Sequence, residues 1–112
     1  MKISIIGAGY VGLVTGTCLA DFNHEVTCID IDTEKINALK NGIIPIFEPG
    51  LLELINKNVQ EKRLNFTTEL GDAICSSNVI FIAVGTPSDN NGNVDITYLE
   101  SAVNNISKYL KK

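Results

Sequence analysis

Hydrophobic and polar positions change their period several times along this chain, and each change marks an element. Residues 3–20, ISIIGAGYVGLVTGTCLA, carry no charge, yet the residue types divide the run in two. The β-branched Ile3, Ile5 and Ile6 predict a buried strand over Lys2–Ile6. Gly7–Gly9 predicts a tight turn, and Tyr10–Phe22 a helix with Val11, Val14, Cys18 and Phe22 along one side. Asn23-His24 ends that helix, because Asn is second only to Gly at a left-handed cap. Glu25–Asp30 predicts a second strand. Asp32 can cap a helix over Thr33–Asn41, with Ile36 and Leu39 inward and Gly42 as its stop. An apolar loop with two prolines spans Gly42–Gly50, ahead of a short helix over Leu51–Gln60.

The second half continues the alternation. Leu64–Thr67 predicts a short third strand, Glu69–Cys75 a helical turn or short helix, and Asn78–Val84 a fourth buried strand. The turn-rich GTPSDNNGN follows. From Asp95 a final helix places Leu99, Ala102, Val103, Ile106 and Leu110 at helical spacing, and Thr97 with Glu100 predicts a capping box. Strands alternating with helices imply an α/β fold, a doubly wound parallel sheet covered on both faces. Right-handed crossovers then give the strand order 3-2-1-4.

The charge-free opening has the length of a membrane span or export signal, and Gly12 with Gly16 forms GxxxG. Both are disfavoured. Gly7, Gly9, Gly12 and Gly16 overload one continuous helix, the residue types change midway, and HEVTCIDID repeats the strand-like pattern. No membrane association is expected. The 112 residues, 45% apolar and 20% charged, suit one ordered domain with a core of Ile, Val, Leu and Ala. Net charge is −4 and no basic run precedes Lys111-Lys112, so no nucleic-acid partner is expected. Cys18, Cys28 and Cys75 form no CxxC pair and no metal spacing, which predicts reduced thiols in a cytoplasmic protein and no metal site. His24, the only histidine, falls in a surface turn at the opposite end of the sheet from the glycine turn. Hydrolase chemistry has no support without a nucleophile pair.

Gly7-Ala8-Gly9-Tyr10-Val11-Gly12 is GxGxxG, a weak signal alone. Here a strand precedes it, a helix follows, and a second strand ends in Asp30, 18 residues after Gly12. In a Rossmann-type sheet Gly7 permits the sharp turn, Gly9 lets backbone meet a pyrophosphate, and Gly12 lets helix pack on sheet. The helix start at Tyr10 and Val11 offers unpaired N–H groups to phosphate. Asp30 would accept the adenosine ribose hydroxyls and repel a 2′-phosphate, so NAD is favoured over NADP. Lys35, one helical turn on, could reach the ribose or a phosphate, whereas Asp32 reads as a helix cap. Gly85 and Thr86 follow the fourth strand across the switch point and could offer a hydroxyl and an N–H to the cofactor. Such a sheet normally has two halves and about six strands. Residues 1–112 read as its first half plus one strand, the N-terminal part of an NAD-binding Rossmann domain.

GAGYVGLVTGTCLA, HEVTCIDID, IPIFEPGL at 44–51 and VGTPSDNNGNVD at 84–95 together resemble the nucleotide-sugar dehydrogenases, the UDP-glucose/GDP-mannose dehydrogenase family. The likeness is nearest to its UDP-glucose-oxidising members and runs collinearly through the whole chain. It implies NAD-dependent, four-electron oxidation of a sugar C6 alcohol to a carboxylate, through a thiohemiacetal and thioester on a catalytic cysteine. It also implies a UDP-sugar substrate held by a further domain, and a full-length homo-oligomer. Cofactor contacts are implied for Val11, Asp30, Lys35 and Thr86, and the Glu48-Pro49-Gly50 loop would lie near the active-site cleft. Asn23 stands where the family commonly has Gly. Cys18, Cys28 and Cys75 match no catalytic role, so no catalytic residue is assigned and the chain is expected to be inactive by itself. A GDP-mannose or UDP-N-acetylmannosamine enzyme is the nearest alternative. A non-catalytic NAD-sensing module shares the glycine fingerprint and the acid, but leaves IPIFEPGL and GTPSDNNGN unexplained. A methyltransferase would have a tighter glycine pattern.

Overall fold

The computed structural model describes residues 1–44, 48–85, 90–94 and 96–110. The elements are β1 (Lys2–Ile6), α1 (Tyr10–Asp21), β2 (Glu25–Ile29), α2 (Thr33–Lys40), α3 (Leu51–Gln60), β3 (Leu64–Thr67), α4 (Gly71–Ser76), β4 (Val79–Ile82) and α5 (Thr97–Ser107). All four strands are parallel in the order β3-β2-β1-β4. This is the strand order expected from the sequence, that of a doubly wound sheet. Ile5 stands beside Cys28 on one side and Phe81 on the other, and Cys28 beside Phe66.

Side-chain alternation along the strands builds two cores. Ile3, Ile5, Val26, Cys28, Leu64 and Phe66 face α1, α2 and α3, while Ile6 and Ile29 face α4 and α5 through Ile74, Ala102 and Ile106. Strand β1 is buried on both faces, which is why its apolar run is continuous. Asp32 caps α2, its Oδ1 accepting the Lys35 N–H at 3.1 Å, and Ile36 and Leu39 point inward as expected. Asn23 adopts the left-handed conformation at φ 74° where it ends α1.

The helix faces differ from expectation in two places. On α1 the buried residues are Gly12, Leu13, Gly16, Thr17 and Ala20, whereas Val11 is 64% and Phe22 75% exposed and Cys18 is on the surface. Leu13 lies fully inside and Val14 and Leu19 pack partly on the core, but at Gly12 and Gly16 the helix lies too close to the sheet for a side chain. A Cβ on Gly16 would stand 2.8 Å from Cys28 Sγ, and one on Gly12 would overlap the Gly7 carbonyl oxygen. On α5 only Ala102 and Ile106 are buried; Val103 is exposed, as is Leu110 beyond the helix end. The capping box is out of register, since Ile96 takes the N-cap and Thr97 the first helical position. Strand β4 is shorter than the Asn78–Val84 run, although the Asn78 and Ala83 N–H groups still bond the β1 carbonyls of Lys2 and Ile6.

Helix α2 descends from the end of β2. Helix α3 must also descend, because β3 begins four residues after Gln60 and runs parallel to β2. Ile44, after α2, packs on the core. Glu48 and the start of α3 lie beside α1 at the upper edge.

Candidate functional site

The carboxyl ends of β1, β2 and β4 converge on the glycine turn. Gly7 has φ +107° and its N–H donates to the Ile29 carbonyl at 2.7 Å. A Cβ there would come within 2.6 Å of the Ala83 carbonyl oxygen beyond β4, so the sharp turn and the close strand approach both require glycine. Gly12 closes the same turn from the helix side, against the Gly7 carbonyl. Gly9 is different. It is the extended N-cap of α1, φ −79° and ψ −161°, and an added Cβ would meet nothing within 4 Å. No protein packing requires glycine there; the space in front of it is open.

Tyr10 and Val11 form the exposed first turn of α1, whose early N–H groups have no partner within the helix. Asp30 lies just past β2, and its side chain is 13% exposed. Its Oδ2 accepts the Ala8 N–H at 2.9 Å and its Oδ1 the Asp32 N–H at 3.0 Å. Lys35 Nζ stands 3.5 Å from Oδ2. Burial pushes the Asp30 carboxyl upward, but the Ala8 and Asp32 hydrogen bonds and the Lys35 charge outweigh it, holding the group below the usual carboxylate range. These three donors leave lone-pair capacity on a charged carboxylate at the rim of the turn.

Of the residues singled out in the sequence, Gly7, Gly9, Tyr10, Val11, Gly12, Asp30 and Lys35 are brought to this one edge. Gly85 lies two residues past Ala83, exposed and with open space at its α-carbon. Thr86 is outside the described residues. The fold adds two relationships that spacing alone did not reveal: the Ala8 N–H on Asp30, and the Tyr10 hydroxyl on Glu48 Oε2 at 3.1 Å. The signal for the second was the Glu48-Pro49-Gly50 loop, but the residue it meets is a tertiary fact. Cys28 lies inside the core, its thiol pushed up to about 12 by burial, far from a nucleophile's range. Among the described residues no group of His, Cys, Asp and Glu could hold a metal ion, and no helix is long and apolar enough to cross a membrane.

A parallel sheet in this order, with a glycine turn at the helix start and an acid after the second strand, defines a dinucleotide-binding domain of the Rossmann type. The model of the UDP-glucose/GDP-mannose dehydrogenase family, NAD binding domain, matches residues 1–112, and the chain belongs to that family. It is 52% identical over 109 residues to the UDP-glucose 6-dehydrogenase TuaD of Bacillus subtilis, covering 97% of this chain and 24% of the relative. A UDP-glucose 6-dehydrogenase of Rhizobium meliloti is 55% identical over 112 residues, 99% of this chain and 26% of the relative. The structure of a GDP-mannose dehydrogenase from Pseudomonas aeruginosa superposes with a TM-score of 0.91 at 44% identity, over 95% of this chain and 24% of that one. The chain thus spans about a quarter of the length of these relatives.

Proposed function

We propose that this chain is the cofactor-binding part of an NAD-dependent UDP-glucose 6-dehydrogenase, which oxidises the C6 alcohol of UDP-glucose to the carboxylate of UDP-glucuronate with two NAD. The observation that carries the binding site is the open space before Gly9, set between a helix start and the charged Asp30. The pyrophosphate lies against Gly9 with the N–H groups of Tyr10 and Val11, where the helix start favours negative charge. Gly7 and Gly12 hold the turn that presents them. Asp30 accepts the adenosine ribose hydroxyls, Lys35 steadies that carboxylate and reaches the ribose or a phosphate, and Gly85 and Thr86 contact the cofactor from the β4 side. When bound, NAD supplies the hydride acceptor.

The identities of 52% and 55% to UDP-glucose enzymes support UDP-glucose as the substrate. A GDP-mannose substrate is the second reading, supported by the 44% identity to the Pseudomonas aeruginosa enzyme. The sugar is held by a part of the enzyme outside these 112 residues, in a cytoplasmic homo-oligomer, and this chain alone turns over no UDP-sugar. Two measurements test the proposal. NADH fluorescence titration of wild type and Asp30→Ala should show weaker binding by the variant; equal binding would remove Asp30 from the site. The purified chain with UDP-glucose and NAD should form no NADH, and turnover would overturn its role as a cofactor-binding part only.

A further inference from the structure

Tyr10 and Glu48 are 38 residues apart, yet the Tyr10 hydroxyl donates to Glu48 Oε2 at 3.1 Å. The Tyr10 ring is half exposed, so burial does not hold it. Its two anchors are its own backbone, in the first turn of α1, and that hydroxyl contact.

The Glu48 end is a fixed post. Pro49 follows it and restricts its backbone to extended conformations. Gly50 then turns at φ 81°, the Leu51 N–H returns to the Glu48 carbonyl at 3.1 Å, and the Leu51 side chain is buried. The Tyr10 end is the opposite case. It follows Gly9, which has open space and the conformational freedom of glycine, in the turn proposed to receive the dinucleotide. Glu48 also pushes the Tyr10 phenol above its ordinary value, first by the hydrogen bond and then by its charge, so the hydroxyl stays a donor.

We propose that Glu48 is a positioning residue for the dinucleotide: by holding the Tyr10 hydroxyl it clamps the glycine turn in the conformation that receives the pyrophosphate. The inference rests on the dinucleotide reading of that turn. Glu48 does not touch the cofactor; it reduces the ordering that binding requires.

The test is NADH titration of the 112-residue protein, with a thermal melt of each variant. Tyr10→Phe and Glu48→Ala should each weaken NADH binding about three- to tenfold, the worth of one hydrogen bond. The double variant should be no weaker than the worse single one, because both remove the same link. Glu48→Gln, which keeps an acceptor, should bind within about twofold of wild type, and all four should melt near wild type, because an exposed pair contributes little to folding. Wild-type affinity in Tyr10→Phe, or losses that multiply in the double variant, would overturn the clamp while leaving the dinucleotide site intact. No NADH binding by wild type would overturn both.

Discussion

Asp30 Oδ2 accepts the Ala8 N–H at 2.9 Å, so the residue after β2 is joined to the turn after β1. The acid therefore has two tasks: it shapes the glycine turn, and it presents charge at the turn's rim. Asp30→Ala should weaken NADH binding about ten- to a hundredfold, because charged hydrogen bonds of this kind are among the stronger ones. Fluorescence titration reads this directly.

The same acid makes stability depend on pH. Its folded pKa lies below the ordinary value, since the Ala8 and Asp32 hydrogen bonds and Lys35 overcome the upward push of burial. Its contribution is therefore fully present above the ordinary carboxylate range and is lost as pH falls through the lowered folded value. The urea midpoint should drop from about pH 5 downward, and less steeply in Asp30→Asn. Parallel slopes for the two proteins would contradict the assignment.

Two neighbouring glycines should separate folding from binding. A Cβ on Gly12 overlaps the Gly7 carbonyl oxygen, so Gly12→Ala should cost about 1–3 kcal/mol of stability as overpacking. A Cβ on Gly9 meets nothing within 4 Å, so Gly9→Ala should stay within about 0.5 kcal/mol of wild type. NADH affinity should nevertheless fall in Gly9→Ala, because the methyl group occupies the space assigned to the pyrophosphate. Urea unfolding and NADH titration on both variants check the pair.

A buried polar network ties the lower end of the fold together. Asn58 is fully buried; its Nδ2 donates to the Leu54 carbonyl at 2.8 Å and to Asp21 Oδ1 at 3.3 Å. Its Oδ1 accepts from Arg63 Nε at 3.0 Å, and that nitrogen also reaches the Ala20 carbonyl. Asn58→Ala should destabilise by about 1–3 kcal/mol, the range for leaving buried partners unsatisfied. Its NADH affinity should stay at the wild-type level, since the network lies at the far end of the sheet from the glycine turn.

Much of this was legible along the chain because it is local or periodic. Strand alternation, the Asp32 cap, the left-handed Asn23 and the GxGxxG-to-Asp30 spacing each depend on neighbours in sequence or on one crossover rule. The inner face of α1 was not legible in the same way. Periodicity favours Val11, Val14, Cys18 and Phe22, of which only Val14 packs on the core; helix-to-sheet distance decides, and at the closest approach Gly12, Gly16 and Ala20 go inside beside Leu13. Asn58 reads as an ordinary polar helix residue until Asp21 and Arg63 arrive from other elements.

By itself, the sequence determined the α/β alternation, the strand order and the dinucleotide chemistry, because residue type, period and crossover handedness act locally. The tertiary structure decided which glycines serve packing and which leaves room for a ligand, and it brought Glu48 to Tyr10. Those outcomes depend on distances between segments far apart in the chain, which only the assembled sheet and its packed helices set.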